Sequence, residues 1–310
     1  MKRYDNIKHT YQRILKFLLT DIWHLDMSEL SIMHTRMVKY LKVLIITIKG
    51  FTTDKVGLQA TSLSYFSAMS VVPFVAIMFA ITNGFGAGVK LEELMFTYFE
   101  GNEDVVKYIL EFANNIIERG KNGLFGLISF LFLLSTIIIL MLNVEKAFNE
   151  IWKLGSGRSF KKRVIYYFTL IIASPFVFFI FLSLGLVYSK VLHTLELGID
   201  KYIPITSIFS WFTSYLFVVG VFTVMYKYIP NTKVKLSAAF NSAIILAVAF
   251  IVVQLLYLET QIMVTGLSTV YGVFAAVPLF MVWMNISWTL ILFGAELSHA
   301  YQNVDNYRYI

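Results

Sequence analysis

Long runs of apolar residues, separated by short polar stretches, dominate the chain. Six runs qualify as membrane spans, at residues 62–83, 124–143, 164–189, 205–228, 237–258 and 271–297. About 20 consecutive apolar residues cross a bilayer as a helix. Hydrocarbon offers no partner for a free peptide group, so each run is expected to be helical. The residue-by-residue alternation of a transmembrane β-barrel strand is absent. The expected fold is all-α: a polytopic integral membrane protein of six transmembrane helices.

Two further segments carry a helical period without being apolar all round. Met33, Met37, Tyr40, Leu41, Leu44 and Ile48 recur at helical spacing, with Arg36, Lys39, Lys42 and Lys49 between them. A basic amphipathic helix of this kind lies in the headgroup plane; reading lipids or docking a partner is the sharper alternative. In the 84–123 loop, Val105, Tyr108, Ile109, Phe112 and Ile116 form an apolar stripe, with Glu103, Asp104, Glu111 and Glu118 elsewhere on the turn. That stripe predicts a helical cap over the extracytoplasmic end of the bundle. The expected division is an N-terminal extension at 1–40, a membrane domain at 41–300 and a tail at 301–310.

Composition agrees with the pattern and charge adds an orientation. Of 310 residues, 58% are apolar and 15% charged, against about a quarter charged in soluble domains. The net charge is +7. Alternate loops hold 20 Lys and Arg on one side of the six spans and 6 on the other. Basic loops stay in the cytoplasm, so both termini are expected there and the protein in a bacterial cytoplasmic (inner) membrane. No short apolar region with a cleavage site opens the chain, so no removed signal peptide is expected. The chain has no cysteine, which excludes disulfides and thiolate metal sites.

Enzyme signatures are missing. No phosphate-binding GxxxxGK[ST] run occurs, and Gly84, Gly86 and Gly88 follow no strand. His9, His24, His34, His193 and His299 are scattered without ligand spacing. The reading is therefore no enzyme, no cofactor, no metal and no nucleic-acid partner; membrane lipids are the expected partners, with a second copy or an envelope protein as further candidates. Polar residues inside spans are costly and often functional. Ser64, Tyr65 and Ser67 precede Pro73 in the first span; Asn285 and Glu296 lie in the last. Small polar residues also serve close helix packing, and Glu296 near a helix end also suits an interface ion pair. Pro73, Pro175 and Pro278 each remove a backbone donor inside a span and permit a kink.

Several of these residues fall in recognisable runs. The segment from Leu58 through Tyr65 to Pro73 resembles the opening span of the YihY/virulence factor BrkB family. Asn149-Glu-Ile-Trp152 followed by Arg158 is similar to its second signature, and Tyr228-Ile-Pro230-Asn231 to its Leu-Pro-Asn turn. Ser268-Thr-Val-Tyr271-Gly272 through Trp283 to Glu296 resembles its final span. Ile229 stands where the family often has Leu, and Asn285 makes the last span more polar than the family pattern. The resemblance covers residues 40–300. It implies a six-span inner-membrane protein with a place in envelope lipid or lipopolysaccharide traffic. It also makes Ser64, Tyr65, Pro73, Asn149, Trp152, Arg158, Pro230, Asn231, Tyr271, Gly272, Trp283 and Glu296 the candidate functional positions. The ribonuclease BN label once attached to such proteins finds no clustered acids or histidines here. On this reading the protein is a transporter or passage for a lipid or other amphiphile; the alternative is a membrane scaffold that docks partners through its cytoplasmic loops.

Overall fold

A computed structural model describes residues 16, 18, 20–25, 31–86, 88–98, 107–108, 110–111, 114–115, 118, 123–194, 205–265 and 269–307. Among these the chain is helical, with no strand. A single 3-10 turn at Asp21–Trp23 precedes helices α1 (Ile32–Thr53), α2 (Val56–Gly84), α3 (Gly88–Tyr98), α4 (Leu124–Ile151), α5 (Phe160–Thr194), α6 (Ile205–Tyr228), α7 (Leu236–Thr265) and α8 (Thr269–Asn303). A helix therefore stands over each of the six apolar runs. Among the described residues, three stretches are long and apolar enough to cross a membrane: Leu131–Ile151, Leu236–Thr260 and Val277–Asn303. The two halves of α2, Val56–Val71 and Pro73–Gly84, make a fourth if taken as one span bent by 45°. Pro73 has no N–H to give to the preceding turn, which accounts for a bend there.

Helix boundaries follow local chemistry. Ser31 caps α1, its hydroxyl accepting the His34 N–H at 3.5 Å. Between α1 and α2 the chain turns in two residues, Asp54 and Lys55, with Lys55 in the left-handed region (φ 52°). At the far end of α2 the three glycines of the 84–88 run serve a tight turn, not a phosphate. Gly86 has φ 74°, and a side chain at Gly88 would collide with the Asn83 amide. α3 then folds back with Leu91, Leu94 and Met95 buried against Met78 and Phe79 of α2.

The main core lies at one end of the bundle. It is built from the C-terminal ends of α1, α4, α6 and α8 and the N-terminal ends of α2 and α7, around Phe148, Ile151, Tyr226, Leu246 and Leu292. The loops at this end carry Lys55, Lys153, Arg158, Lys233 and Lys235, and the first turn of α5 adds Lys161, Lys162 and Arg163; we call it the basic end. α7 and α8 form the largest helix pair. Their facing residues are small: Ala239, Ser242, Ala243 and Ala247 on α7, Gly294, Ala295 and Ser298 on α8, all buried. Lipid tails are as apolar as leucine, so helices in a bilayer gain by close packing rather than by hiding apolar surface, and small residues permit that approach. Large apolar residues such as Phe168, Val248, Leu256 and Val282 face outward, as the surface of a membrane bundle requires.

Helix α1 meets α8 through Val43, Ile46, Thr47 and Gly50. The stripe read from the sequence is on another side of the helix: Met33, Met37, Tyr40, Leu41, Leu44 and Ile48 are exposed. Lys39 pairs with Asp305 at 2.8 Å, and Tyr40 stands edge-on to Tyr301 at 6.3 Å. In the 84–123 loop, Val105, Ile109, Phe112 and Ile116 of the expected cap lie outside the described residues.

Candidate functional site

The polar residues of the basic end form two buried nodes. The first centres on Glu145, near the end of α4 and only 3% exposed. Its carboxylate accepts the Arg158 backbone N–H at 3.0 Å and the Tyr167 hydroxyl at 2.5 Å. Two guanidinium groups flank it, Arg163 at 3.4 Å and Arg158 at 3.6 Å. Breaking such a buried arrangement from one side leaves an uncompensated charge, worth about 3–5 kcal/mol.

Arg158 does more than neutralise Glu145. Its guanidinium donates to the carbonyls of Tyr228, Ile229 and Pro230 at 2.5, 2.8 and 3.2 Å. These are the orphan acceptors at the C-terminus of α6, where a cation is favoured by the helix dipole. Only the planar, five-donor fork of arginine fits this cluster together with a carboxylate. The Tyr166 ring lies under the same guanidinium at 4.3 Å. Asn149 completes the link: its side-chain oxygen accepts the Asn231 N–H at 2.8 Å. The Asn231 amide in turn reaches the Ser156 carbonyl at 3.5 Å. The α4–α5 loop and the α6–α7 turn are thus tied into one rigid piece. A pocket of about 430 Å³ opens beside it, bounded by Asn143, Lys146, Asn149, Gly157 and Arg163.

The second node joins α1, α4 and α8. Glu296 is 1% exposed, and a side chain on Gly50 would occupy the space of its carboxyl. Asp54, one turn beyond Gly50, is in contact with the Lys153 ammonium through both carboxylate oxygens. Lys153 sits just past α4 with φ 54°. Its N–H bonds to Glu150 and that of Leu154 to Asn149, the paired closure in which glycine is the usual residue. Trp152 packs edge-on to His299 at 5.1 Å.

Away from this end, a line of polar side chains runs between α2 and α8. The Asn285 amide donates to the Thr61 and Ser64 hydroxyls at 3.0 and 3.4 Å, and the Trp288 indole donates to Ser67 at 2.8 Å. Ser70 then bonds to the Thr136 carbonyl of α4 at 3.2 Å. Ser64 and Ser67 are buried, while Thr61 opens to the outer surface of the bundle.

Residues 47–309, which carry both nodes and the seam, match the virulence factor BrkB family. The chain belongs to that family. Among curated proteins it is similar to a UPF0761 membrane protein of Legionella pneumophila, 28% identical over 260 residues, covering 82% of this chain and 60% of the relative. A UPF0761 membrane protein of Pseudomonas aeruginosa is 28% identical over 255 residues, 80% of this chain and 59% of the relative. One of Haemophilus influenzae is 26% identical over 267 residues, 83% of this chain and 93% of the relative. The chain thus spans about 60% of the length of the Legionella relative. No solved structure matches.

For this BrkB-family chain the sequence signatures separate into groups. Asn149, Trp152, Arg158, Pro230 and Asn231 come together at the basic end, with Glu296 beside Trp152's neighbour Lys153. Ser64 belongs to the α2–α8 seam, and Pro73 is buried at the α2 bend. Tyr65 points the other way and is 56% exposed. Trp283 stacks on Tyr257 at 4.9 Å, apart from both nodes. Tyr271 and Gly272 lie in α8, their side chains outside the described residues. Glu145, Asp54, Lys153, Arg163 and Gly50 were not among the sequence candidates. Glu145 falls two residues beyond the span drawn to residue 143, and Arg163 reads in sequence as part of a Lys-Lys-Arg stop signal.

Proposed function

We propose that this chain is a six-span inner-membrane passage for a lipid or other amphiphile, with both termini in the cytoplasm and no enzymatic activity. The observation that carries the reading is the polar seam of Thr61, Ser64, Ser67, Asn285 and Trp288 between α2 and α8, reaching the exposed surface of the bundle at Thr61. An amphiphile's headgroup exchanges hydrogen bonds along such a line while its tails stay in hydrocarbon. Hydroxyl and amide groups at that depth stabilise helix pairs by only about 0.6 kcal/mol each, so they yield to a competing headgroup at small cost. On this reading α1 lies along the cytoplasmic headgroup plane with its exposed apolar stripe in the leaflet, and the residues after α2 cap the opposite end.

The test is mass spectrometry of lipids retained when the protein is extracted in native membrane discs. Wild type is expected to enrich one amphiphile class over an unrelated six-span protein from the same cells. Asn285→Leu, at equal protein level, is expected to lose that enrichment. Equal lipid content in wild type and the unrelated protein would refute the passage.

A scaffold is the second reading, favoured by one observation. Asn149, Arg158 and Asn231 are spent on fixing loop shape around an open pocket, as a docking surface for an envelope partner would need. Crosslinking at Ser156 that captures one stoichiometric partner would support it over the passage.

A further inference from the structure

We propose that Asp54 and Glu296 form one buried carboxyl pair that binds a single exchangeable proton, with Lys153 as its fixed counter-ion. The inference stands independently of the passage reading; joined to it, the pair would be the point where proton binding acts on the bundle.

The argument begins with the space around Glu296. Its side chain is fully buried, and its Oε1 has no hydrogen-bond partner among the described residues. Buried polar oxygens are normally satisfied, so an exception calls for a cause. Gly50 supplies the room, since any side chain there would displace the carboxyl. The Asp54 N–H bonds to the Gly50 carbonyl at 2.8 Å, which sets Asp54 one turn along the same face, with its carboxyl beside that of Glu296. Two carboxylates side by side in a buried site repel one another, and one shared proton relieves that repulsion. The charges agree: two carboxyl groups face one ammonium, that of Lys153, and a proton makes the group neutral.

Other titratable groups stand around the pair. On α4, Glu150 accepts from Gln59 of α2 at 2.7 Å and pairs with Lys146 at 3.8 Å. Lys55, in the α1–α2 turn, is exposed. His299 of α8 stands near both Asp54 and Lys153, against the Trp152 ring. Lys153 itself is held in a left-handed backbone conformation that glycine adopts more easily. Retaining a strained lysine points to its side chain as the useful part.

A route for the proton is present. Asp54, Lys55, Glu150 and Lys153 line an open pocket of about 450 Å³, while the main core seals the other side around Leu292 and Ala295. The step is transfer of a proton from bulk water to a carboxylate oxygen and back, with no other bond made or broken.

Labelling with dicyclohexylcarbodiimide tests the pair, because this apolar reagent adds to a protonated carboxyl in an apolar site and leaves a stable acylurea. Wild-type protein in native discs is expected to take one adduct per chain, on Asp54 or Glu296, declining as the pH is raised. Glu296→Gln is expected to lose it. Lys153→Met is expected to keep it to higher pH. Thermal unfolding of each variant checks that the bundle is intact. Wild type without an adduct on either residue at any pH, or with two adducts per chain regardless of pH, would overturn the proposal. The adduct is read on the protein itself, so this outcome is independent of whether any amphiphile is retained.

Discussion

The two ends of the bundle are built by different rules. At the basic end, six helices converge on one packed core and the loops are locked to one another by Glu145, Arg158 and Asn149. At the other end, α3 rests on α2 through a small satellite of Leu91, Leu94, Met95, Met78 and Phe79. Between them, among the described residues, Ile77 of α2, Ile137 of α4 and Ile171 of α5 form a third cluster. The α2–α8 seam lies between the basic end and the bend at Pro73 and joins its two helices through polar partners. Substitutions at each place therefore have separable consequences.

The largest effect is expected from Glu145→Ala. It takes the buried carboxylate from the half-buried Arg158 and Arg163 guanidinium groups and costs about 3–5 kcal/mol. Unfolding of the purified protein, followed by circular dichroism, should show a global loss of stability; a shift within error would mean the node is ornamental. Next is Leu91→Ala, about 2–3 kcal/mol by lost packing, confined to the far end. Hydrogen exchange should speed in α3 and the adjoining turn of α2 while α4, α7 and α8 keep their protection. If the whole bundle loosens, the two ends are one cooperative unit. Gly294→Ala follows, at about 1–3 kcal/mol for overpacking. The added methyl meets the Tyr226 hydroxyl and ring and the Leu246 side chain, so Tyr226→Phe in the same chain should relieve only part of the cost. Asn285→Leu comes last, at about 0.6 kcal/mol, too small for a global unfolding shift yet sufficient to interrupt the seam.

How much of this was legible in the sequence varies with the physics behind each element. The helices over the six apolar runs were readable because hydrocarbon tolerates nothing but an apolar, internally bonded run. α3 was less so: the glycines at 84, 86 and 88 suggested only a loop, although Leu91, Leu94 and Met95 already had helical spacing. For α1 the helix was visible, but its most apolar stripe faces away from the bundle, and contact is made through Val43, Thr47 and Gly50. The signature residues were individually visible, while their meeting was not. Asn149 and Asn231 are 82 positions apart, and Arg158 reaches carbonyls 70 to 72 positions on. Backbone acceptors leave no mark in a sequence. Lys153 was hidden for another reason: Gly155, two residues on, is the more obvious helix stop, and only the φ of 54° shows lysine in that role.

The chain has no native cysteine, so a reversible lock can be placed across the seam alone. With Thr61→Cys and Asn285→Cys together, partners now 3.0 Å apart, the decisive measurement is movement of a fluorescent phospholipid between leaflets of proteoliposomes, before and after oxidation. The expected result is movement in the reduced protein, its loss on disulfide formation and its return on reduction. Equal movement in the locked and unlocked states, or none above protein-free vesicles in either, would contradict the seam as a route for an amphiphile.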